Sequence, residues 1–172
     1  MLIKTERLQI RHIDESDWQS VKEIWEEFNL SEYAQYDMPH NTDEADVRAR
    51  ISRWAEVSCG MEHMFFAVCL RDRLIGYIAF NIRDNGYEIG YCFHSAYHGK
   101  GYAKESHIAL IDYLQSLGIT RFTAGTALNN LPSVNLLYSL GFKLTGEEKV
   151  SFYQDEEGND IVFDGGIFEL IL

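Results

Sequence analysis

The stretch from Tyr87 to Ser106 combines residues that can hold an anion with residues that can accept or donate a proton. It reads Tyr-Glu-Ile-Gly-Tyr-Cys-Phe-His-Ser-Ala-Tyr-His-Gly-Lys-Gly-Tyr-Ala-Lys-Glu-Ser. Gly99 and Gly101 let successive backbone N–H groups turn into one concavity, and a helix that opens directly behind them adds the unpaired N–H groups of its first turn. Lys100 and Lys104 can add positive charge. This pattern predicts a binding site for a phosphate or pyrophosphate group.

The glycine turn matches neither of the two most familiar nucleotide-binding motifs. It lacks the Gly-x-x-x-x-Gly-Lys-Ser/Thr of a phosphate loop, and residues 99–104 do not complete a Gly-x-Gly-x-x-Gly dinucleotide fingerprint. A dinucleotide fold also begins with a parallel β-α-β unit, whereas this strand follows Asp84-Asn85-Gly86, where the Asn-Gly pair predicts an antiparallel hairpin. An unrelated nucleotide-binding protein is therefore disfavoured.

The elements that must position this turn follow from hydrophobic periodicity and from turn residues. Strands are predicted at 8–13, 64–70, 74–82, 87–93, 119–127, 142–152 and 161–172, and helices at 18–28, 41–54, 103–117 and 133–139. The order is one strand, two helices, three antiparallel strands, a helix, a strand, a helix and two strands. It predicts a single α/β domain over residues 1–172, with a central mixed, mostly antiparallel sheet flanked by helices.

Composition excludes several other classes of protein. The formal net charge of −12 disfavours nucleic acid as a partner and mildly favours a cationic one. Three cysteines without paired spacing argue against a disulfide scaffold and a cysteine zinc site, and the histidines show no metal-ligand spacing, so we expect no metal. The start of the chain has no apolar signal-peptide core, and the longest apolar run, residues 64–70, is far shorter than the ~20 residues of a membrane span. These features predict a cytoplasmic protein.

Five motifs, in order along nearly the whole chain, carry a specific resemblance. They are Thr5-Glu6-Arg7-Leu8, Glu88-Ile89-Gly90-Tyr91, His98-Gly99-Lys100-Gly101-Tyr102-Ala103, Asn130-Leu131-Pro132-Ser133 and Leu140-Gly141-Phe142. With them the chain resembles the GCN5-related N-acetyltransferase (GNAT) superfamily, and within it the Rim-type branch that acetylates the N-termini of ribosomal proteins. The resemblance implies a GNAT fold, acetyl-CoA as co-substrate and an amine as acceptor.

The resemblance also implies where acetyl-CoA lies. Segment 98–104 holds the pyrophosphate through backbone N–H groups, with His98 at a position where the family has Gln or Arg. Pantetheine lies between the strand that ends at Phe93 and the strand that ends near Ala127, and backbone groups bond its amides and polarise the thioester carbonyl. The implied contacts are Tyr91, Cys92, Phe93, His98, Gly99, Lys100, Gly101, Tyr102, Ala103, Lys104, Asn130 and Ser133. For Lys100, Tyr102 and Lys104, a purely solvated role remains equally open.

Two side chains are candidates for the chemistry of amine acylation. Glu88 lies on a strand that we expect to be central and buried, so it is a candidate base; a structural glutamate or a chain of waters is the alternative. Many superfamily members have a tyrosine acid at the position of Leu137, and the next residue, Tyr138, points about 100° away on a helix. Ser133 shares the face of Leu137 and matches the Rim-type serine near the CoA sulfur. We therefore expect Ser133 to serve the thiolate, with Tyr138 or an ordinary helix-start role for Ser133 as alternatives.

The resemblance also implies where the acceptor amine binds. In the resembled fold the connector between the first two helices, residues 30–40, and the last hairpin shape the acceptor cleft. Tyr33 and Tyr36, with nearby carboxylates, are candidates to hold an ammonium, although the aromatic rings could instead pack on the core. The expected activity is direct acetyl transfer, in a ternary complex, to a peptide α-amine or a small-molecule amine. A non-catalytic CoA-binding sensor is the alternative, and both a monomer and a homodimer remain open.

Overall fold

The computed structural model describes residues 1–172 and contains one eight-stranded sheet with the strand order β1-β2-β3-β4-β5-β6-β8-β7. The strands are β1 (Leu2–Lys4), β2 (Leu8–His12), β3 (His63–Leu70), β4 (Arg73–Arg83), β5 (Gly86–Phe93), β6 (Arg121–Ala127), β7 (Lys143–Gln154) and β8 (Asp160–Ile171). Every neighbouring pair is antiparallel except β5 and β6, which run parallel. The predicted mixed, mostly antiparallel α/β architecture is confirmed.

Four α-helices flank the sheet, and local sequence signals account for their ends. They are α1 (Trp18–Asn29), α2 (Glu44–Val57), α3 (Tyr102–Ser116) and α4 (Leu131–Ser139). The Asp43 side chain accepts hydrogen bonds from the first turn of α2, and Asn130 does the same for α4. Gly118, just beyond α3, has a φ of +87°, the left-handed conformation in which glycine commonly ends a helix.

The sheet is buried on both faces because its central strands alternate between two hydrophobic clusters. On β3, Phe66 and Val68 pack on the face covered by α3 and α4, whereas Phe65 and Ala67 pack on the face covered by α1 and α2. Successive side chains of a strand point to opposite faces, so one short apolar strand supplies both clusters. This two-sided burial fixes the middle of the sheet, next to which the functional cleft opens.

The parallel pair β5 and β6 separates soon after it forms. Residue pairs are present only at Tyr87–Phe122 and Glu88–Thr123, although β5 continues to Phe93 and β6 continues to Ala127. On its other side β6 stays paired with β8 along its whole length. The two facing edges beyond Glu88 and Thr123 therefore leave a gap, which we call the β5–β6 gap.

Three local predictions need correction. The three-residue strand β1 was not predicted, because so short an element has no readable periodicity. In the hairpin between β4 and β5 the left-handed residue is Asp84 (φ +46°), not the Asn-Gly pair. Gly86 instead opens β5, where a Cβ atom would lie 2.5 Å from the carbonyl oxygen of Arg121. Helix α4 begins at Leu131, earlier than predicted, because Pro132 is compatible with the first turn of a helix.

Candidate active site

A cleft of about 1160 Å³ opens at the β5–β6 gap. Its walls come from α1, the 3₁₀ turn Glu32–Tyr36, β5, the segment 95–104, β6, α4, and the β7–β8 hairpin. The volume exceeds the ~300–1,000 Å³ of an ordinary small-molecule site. A cleft of this volume can hold two substrates at once.

At one end of the cleft lies the glycine turn, and its backbone has the geometry of an anion site. Gly99 and Gly101 have φ values of +70° and +80°, and α3 begins directly afterwards without a side-chain cap. The first N–H groups of α3 therefore have no partner within the helix. A Cβ atom on Gly99 would meet no atom within 4 Å, so the space above the turn is open. His98, Tyr102, Ala103 and Lys104 also line the cleft here, and these features fit a pyrophosphate.

Two side chains of the predicted pyrophosphate set are engaged elsewhere. The Nε2 atom of His98 lies 2.8 Å from the carbonyl oxygen of Phe93, so it is the protonated nitrogen and ties the turn to the end of β5. Lys100 donates from Nζ to the carbonyl oxygen of Ala96 at 2.7 Å, and it does not line the cleft. The expected side-chain role for Lys100 is thus corrected, because its ammonium is bonded outside the cleft.

Arg7, near the start of the chain, anchors the glycine turn. Sequence reasoning missed this role. Its Nη1 atom donates to the Lys100 carbonyl at 2.9 Å, and its guanidinium lies 4.6 Å from the centroid of the Tyr102 ring. Glu105 accepts from Arg7 Nε at 2.7 Å and from the Thr5 hydroxyl at 2.5 Å. Burial raises the pKa of Glu105, but the hydrogen bonds from Thr5 and Arg7 outweigh it and hold this pKa below its usual value. The Thr-Glu-Arg motif was the available signal.

We expect Arg7→Met to weaken acetyl-CoA binding by about tenfold, because a charge-assisted hydrogen bond contributes ~1.5–3 kcal/mol and only part of this reaches the ligand. Isothermal titration calorimetry with acetyl-CoA would measure the loss. Arg48→Met is the matched control, since Arg48 stacks on Trp18 and pairs with Glu44 away from the cleft. Equal affinity in the two variants would show that the anchor does not shape the turn.

The middle of the cleft is built from the last residues of β5 and from the facing edge of β6. Tyr91, Cys92 and Phe93 line it from one side, and Gly125 lines it from the other. Cβ atoms on Gly90 and Gly125 would meet nothing within 4 Å, so the space over the sheet face at both residues is open to a ligand. Burial raises the pKa of Cys92 to about 12. This thiol is therefore protonated near neutral pH and is a poor nucleophile.

Ser133, near the start of α4, lies in the cleft and contacts the phenol of Tyr91. The two oxygen atoms are 2.7 Å apart. The Asn130 side chain also lines the cleft, and its Oδ1 accepts weakly from the Ser133 N–H at 3.4 Å. Tyr138 does not line the cleft; its ring is half exposed and packs edge-on against Phe168. The geometry therefore brings Ser133, and not Tyr138, to the gap.

The expectation that Glu88 is buried is wrong. Its side chain is 45% exposed, pairs with Arg83 at 3.1 Å and does not line the cleft. Glu88 lies where β5 is still paired with β6, one step before the gap opens, so its strand position puts it outside. The carboxylate of Glu148 does line the cleft, together with Val150 on the same strand, β7. Sequence reasoning missed Glu148, because its long strand is too irregular to show which residues face inward.

The acceptor end is formed where the connector meets the last hairpin. Tyr33 and Tyr36 both line the cleft there, and the Tyr36 ring packs edge-on against Phe163 of β8 with centroids 5.3 Å apart. The Tyr153 hydroxyl donates to the carbonyl oxygen of Ala34 at 3.1 Å. Tyr36 therefore does both things that were expected as alternatives, because its ring packs on a neighbour and also lines the cleft. The carboxylates at this end are Glu32, Asp37 and Glu148, whereas Glu27 accepts hydrogen bonds from the N–H and the hydroxyl of Ser95.

None of the helices combines the length and apolar character needed to cross a membrane. No group of three or more His, Cys, Asp or Glu side chains is arranged to hold a metal ion.

Similar proteins agree with this geometry. Residues 7–143 match the family model described as acetyltransferase (GNAT) domain. The uncharacterized N-acetyltransferase YnaD of Bacillus subtilis (strain 168) is 32% identical over 152 residues, which cover 85% of each chain. The uncharacterized N-acetyltransferase p20 of Bacillus licheniformis is 32% identical over 148 residues, 83% of this chain and 82% of p20.

The fold is shared with solved acetyltransferases. One is the Salmonella typhimurium acetyl transferase that modifies the N-terminal serine of the 50S ribosomal subunit protein L7/L12. It has a TM-score of 0.84 at 20% identity, covering 100% of this chain and 99% of that one. At this identity the likeness concerns the fold alone. The family model and the two sequence relatives carry the assignment, and they show that this chain belongs to the GNAT family of N-acetyltransferases.

Proposed function

We propose that this enzyme transfers an acetyl group from acetyl-CoA directly to a primary amine within a ternary complex. The observation that carries the proposal is the continuity of the anion-binding turn with the β5–β6 gap. The turn offers unpaired N–H groups to a pyrophosphate, and the gap offers two unpaired strand edges to the pantetheine amides. RimL, a ribosomal L7/L12 alpha-N-protein acetyltransferase of the same fold (TM-score 0.84, 20% identity, 100% of this chain and 98% of that one), has been solved in complex with CoA.

The residues present fit such a donor along its length. His98, Gly99, Gly101, Tyr102, Ala103 and Lys104 line the pyrophosphate end, and Tyr91, Cys92, Phe93, Asn130 and Ser133 line the pantetheine end. Acetyl-CoA supplies an activated acyl group, and the protein must orient it and polarise its carbonyl. It must also remove the proton of the acceptor ammonium and stabilise the leaving thiolate. Backbone N–H groups on β5 are the available donors to the carbonyl oxygen. Ser133 is the available donor to the leaving sulfur.

Direct transfer is supported by the state of the one thiol in the cleft. The pKa of Cys92 is about 12 because the side chain is buried. An acyl-enzyme on Cys92 would need a thiolate that is scarcely populated near neutral pH. The amine therefore attacks the thioester itself, which requires both substrates to be bound at once.

The amine must lose a proton, and Glu148 is better placed than Glu88 to accept it. Glu148 lines the cleft at the acceptor end, and Gly165 opposite it on β8 has no side chain to crowd it. A Cβ atom on Gly165 would lie 3.5 Å from Glu148 Cγ. Glu88 could reach the amine only through intervening water, because its side chain points out of the cleft toward Arg83. We therefore propose Glu148 as the general base.

The acceptor is a cationic amine, either a peptide α-amine or a small molecule. Three carboxylates, Glu32, Asp37 and Glu148, line the acceptor end of the cleft, and the lysine in the lining, Lys104, belongs to the pyrophosphate end. Tyr33 and Tyr36 add ring faces that attract an ammonium. All three cysteines are free, which supports a reducing, cytoplasmic location. A monomer and a homodimer are both compatible with a cleft whose walls come from one chain.

Acetyl-CoA at ~100 times its dissociation constant should stabilise the fold by ~2.7 kcal/mol, which raises Tm by roughly 5–10 °C for a chain of this length. Acetyl-pantetheine, which lacks the pyrophosphate, should give a much smaller rise at the same concentration. CoA release with a panel of polyamines, amino sugars and short peptides then tests catalysis, and intersecting initial-rate lines would support the ternary complex. Stabilisation without turnover of any amine would favour the CoA-binding sensor, and no stabilisation would remove the proposal.

A further inference from the structure

The side chain of Tyr91 joins the two helices that flank the pantetheine end of the cleft. Its hydroxyl lies 2.7 Å from Ser133 Oγ on α4, and its ring meets the His107 ring of α3 edge-on, with centroids 4.7 Å apart. The contact with Ser133 is the one hydrogen bond made by the Tyr91 side chain. Family resemblance assigned Tyr91 only a backbone contact with pantetheine, so the position of its hydroxyl is additional information.

The direction of this hydrogen bond follows from where each proton could otherwise go. If Ser133 donated to Tyr91, the phenol proton would have no acceptor within the protein, because the Tyr91 side chain makes no other hydrogen bond. If Tyr91 donates, its proton is satisfied and the Ser133 proton is free to turn into the cleft, which Ser133 lines. Burial raises the pKa of Tyr91 to about 12, so the phenol remains protonated and remains a donor near neutral pH.

His107 does not compete for this arrangement. Its Nδ1 atom donates to the carbonyl oxygen of Ala103 at 2.7 Å, which leaves Nε2 without a proton and without a partner. Burial lowers the pKa of His107 to about 4, so the ring is neutral near pH 7. A neutral imidazole packed edge-on holds the Tyr91 ring in place without drawing away the phenol proton.

We propose that Tyr91 is a positioning residue for acetyl transfer, whose hydroxyl donates to Ser133 and thereby directs the Ser133 proton at the CoA sulfur. The inference rests on the proposed function, because it needs CoA in the cleft. In the transfer, the amine nitrogen forms a bond to the thioester carbonyl carbon, and the carbon–sulfur bond breaks with its electron pair on sulfur. The amine proton goes to the base. Ser133 and Tyr91 keep their protons and stabilise the thiolate through a two-member hydrogen-bond chain.

A ground-state titration tests this without any acceptor. In a saturated complex with CoA, a directed Ser133 hydroxyl lowers the pKa of the bound thiol, which the ultraviolet absorbance of the thiolate reports as pH is raised. We expect the bound thiol of the wild-type enzyme to titrate about one unit lower than in Ser133→Ala, the shift that a tenfold preference for the thiolate produces. Tyr91→Phe should titrate close to Ser133→Ala, and the double variant should equal Ser133→Ala.

Tyr87→Phe is the matched control, because it removes another tyrosine hydroxyl from the same face of β5. That hydroxyl donates to the carbonyl oxygen of Met61 at 2.8 Å, away from the cleft. Tyr87→Phe should titrate like wild type and bind CoA with wild-type affinity within about twofold, and every variant is titrated at saturating CoA. With a good acceptor, Tyr91→Phe should lower kcat by about tenfold and leave the KM for acetyl-CoA unchanged.

Three results would overturn the inference while leaving CoA binding intact. In the first two, the bound thiol of Tyr91→Phe or of Ser133→Ala has the same pKa as in wild type. In the third, the bound thiol of the double variant has a higher pKa than in Ser133→Ala. The last would mean that the two hydroxyls act independently. Failure of the wild-type protein to bind CoA is a separate outcome, which removes the proposed function and this inference together.

Discussion

Gly101→Val should abolish measurable acetyl-CoA binding in a protein that still folds. Gly101 has a φ of +80° directly before α3, and a β-branched residue disfavours that conformation. The nearest atom to a Cβ built there is Arg7 Nη2 at 3.3 Å, so the protein itself tolerates the added atoms with a small shift. The valine methyl groups would fill the space above the turn that the pyrophosphate needs. Calorimetric titration with acetyl-CoA should show no heat of binding.

Gly118→Val separates the loss of the site from the strain of the substitution. Gly118 ends the same helix with a φ of +87° and has no atom within 4 Å of a built Cβ. Both variants should lose a similar, small amount of stability, of order 1–3 kcal/mol. Gly118→Val should keep its affinity for acetyl-CoA. Wild-type affinity in folded Gly101→Val would mean that the phosphates bind elsewhere.

Glu148→Gln should lower kcat/KM by about 10²–10⁴-fold near neutral pH, the usual contribution of general-base catalysis. The change keeps the shape of the side chain and removes only its ability to take a proton. Affinity for acetyl-CoA should be unchanged, because Glu148 lies at the acceptor end. The defect should shrink as pH approaches the pKa of the acceptor, about 10 for an alkyl amine by analogy with lysine, because more of the amine is then already neutral. A pH–rate profile with one good acceptor measures this.

Glu88→Gln is the matched comparison, since it makes the same change on a carboxylate outside the cleft. Its ion pair with Arg83 is largely exposed, and such pairs contribute little to stability. We expect kcat/KM within about twofold of wild type, as for other surface substitutions. The sequence-based hypothesis gives the opposite ranking. A large loss in Glu88→Gln together with a small one in Glu148→Gln would restore Glu88 as the base.

The glycine turn could be predicted from sequence because all of its determinants are local. Gly99 and Gly101 fix the backbone, and the helix that follows supplies the N–H groups, so neighbours in sequence are neighbours in the site. The error at Glu88 has a different origin. Alternation along β5 gives the face on which a side chain lies, but the depth of burial depends on where β5 and β6 separate, which no periodicity reveals.

The missed residues act across the fold. Arg7 reaches the carbonyl of Lys100 from the turn between β1 and β2, far away in sequence, and Tyr91 on β5 reaches Ser133 on α4. Glu148 lines the cleft opposite Gly165, a position set by the register between β7 and β8, which contains two irregularities. The sequence gives the residue types at these positions, but tertiary packing decides which partners they contact. The Thr-Glu-Arg motif, in the turn between β1 and β2, was the one sequence signal of such a contact.

The early separation of β5 and β6 also has a mechanical meaning. Strands β1–β5 form one continuous half-sheet and β6–β8 form another, and the two residue pairs Tyr87–Phe122 and Glu88–Thr123 are the only strand pairing between them. A donor bound in the gap as proposed would bond to both strand edges and so bridge the two half-sheets. Binding of the donor would then make the enzyme more rigid, and release of CoA would restore its flexibility. The donor would thus stabilise the structure of the protein during part of each turnover.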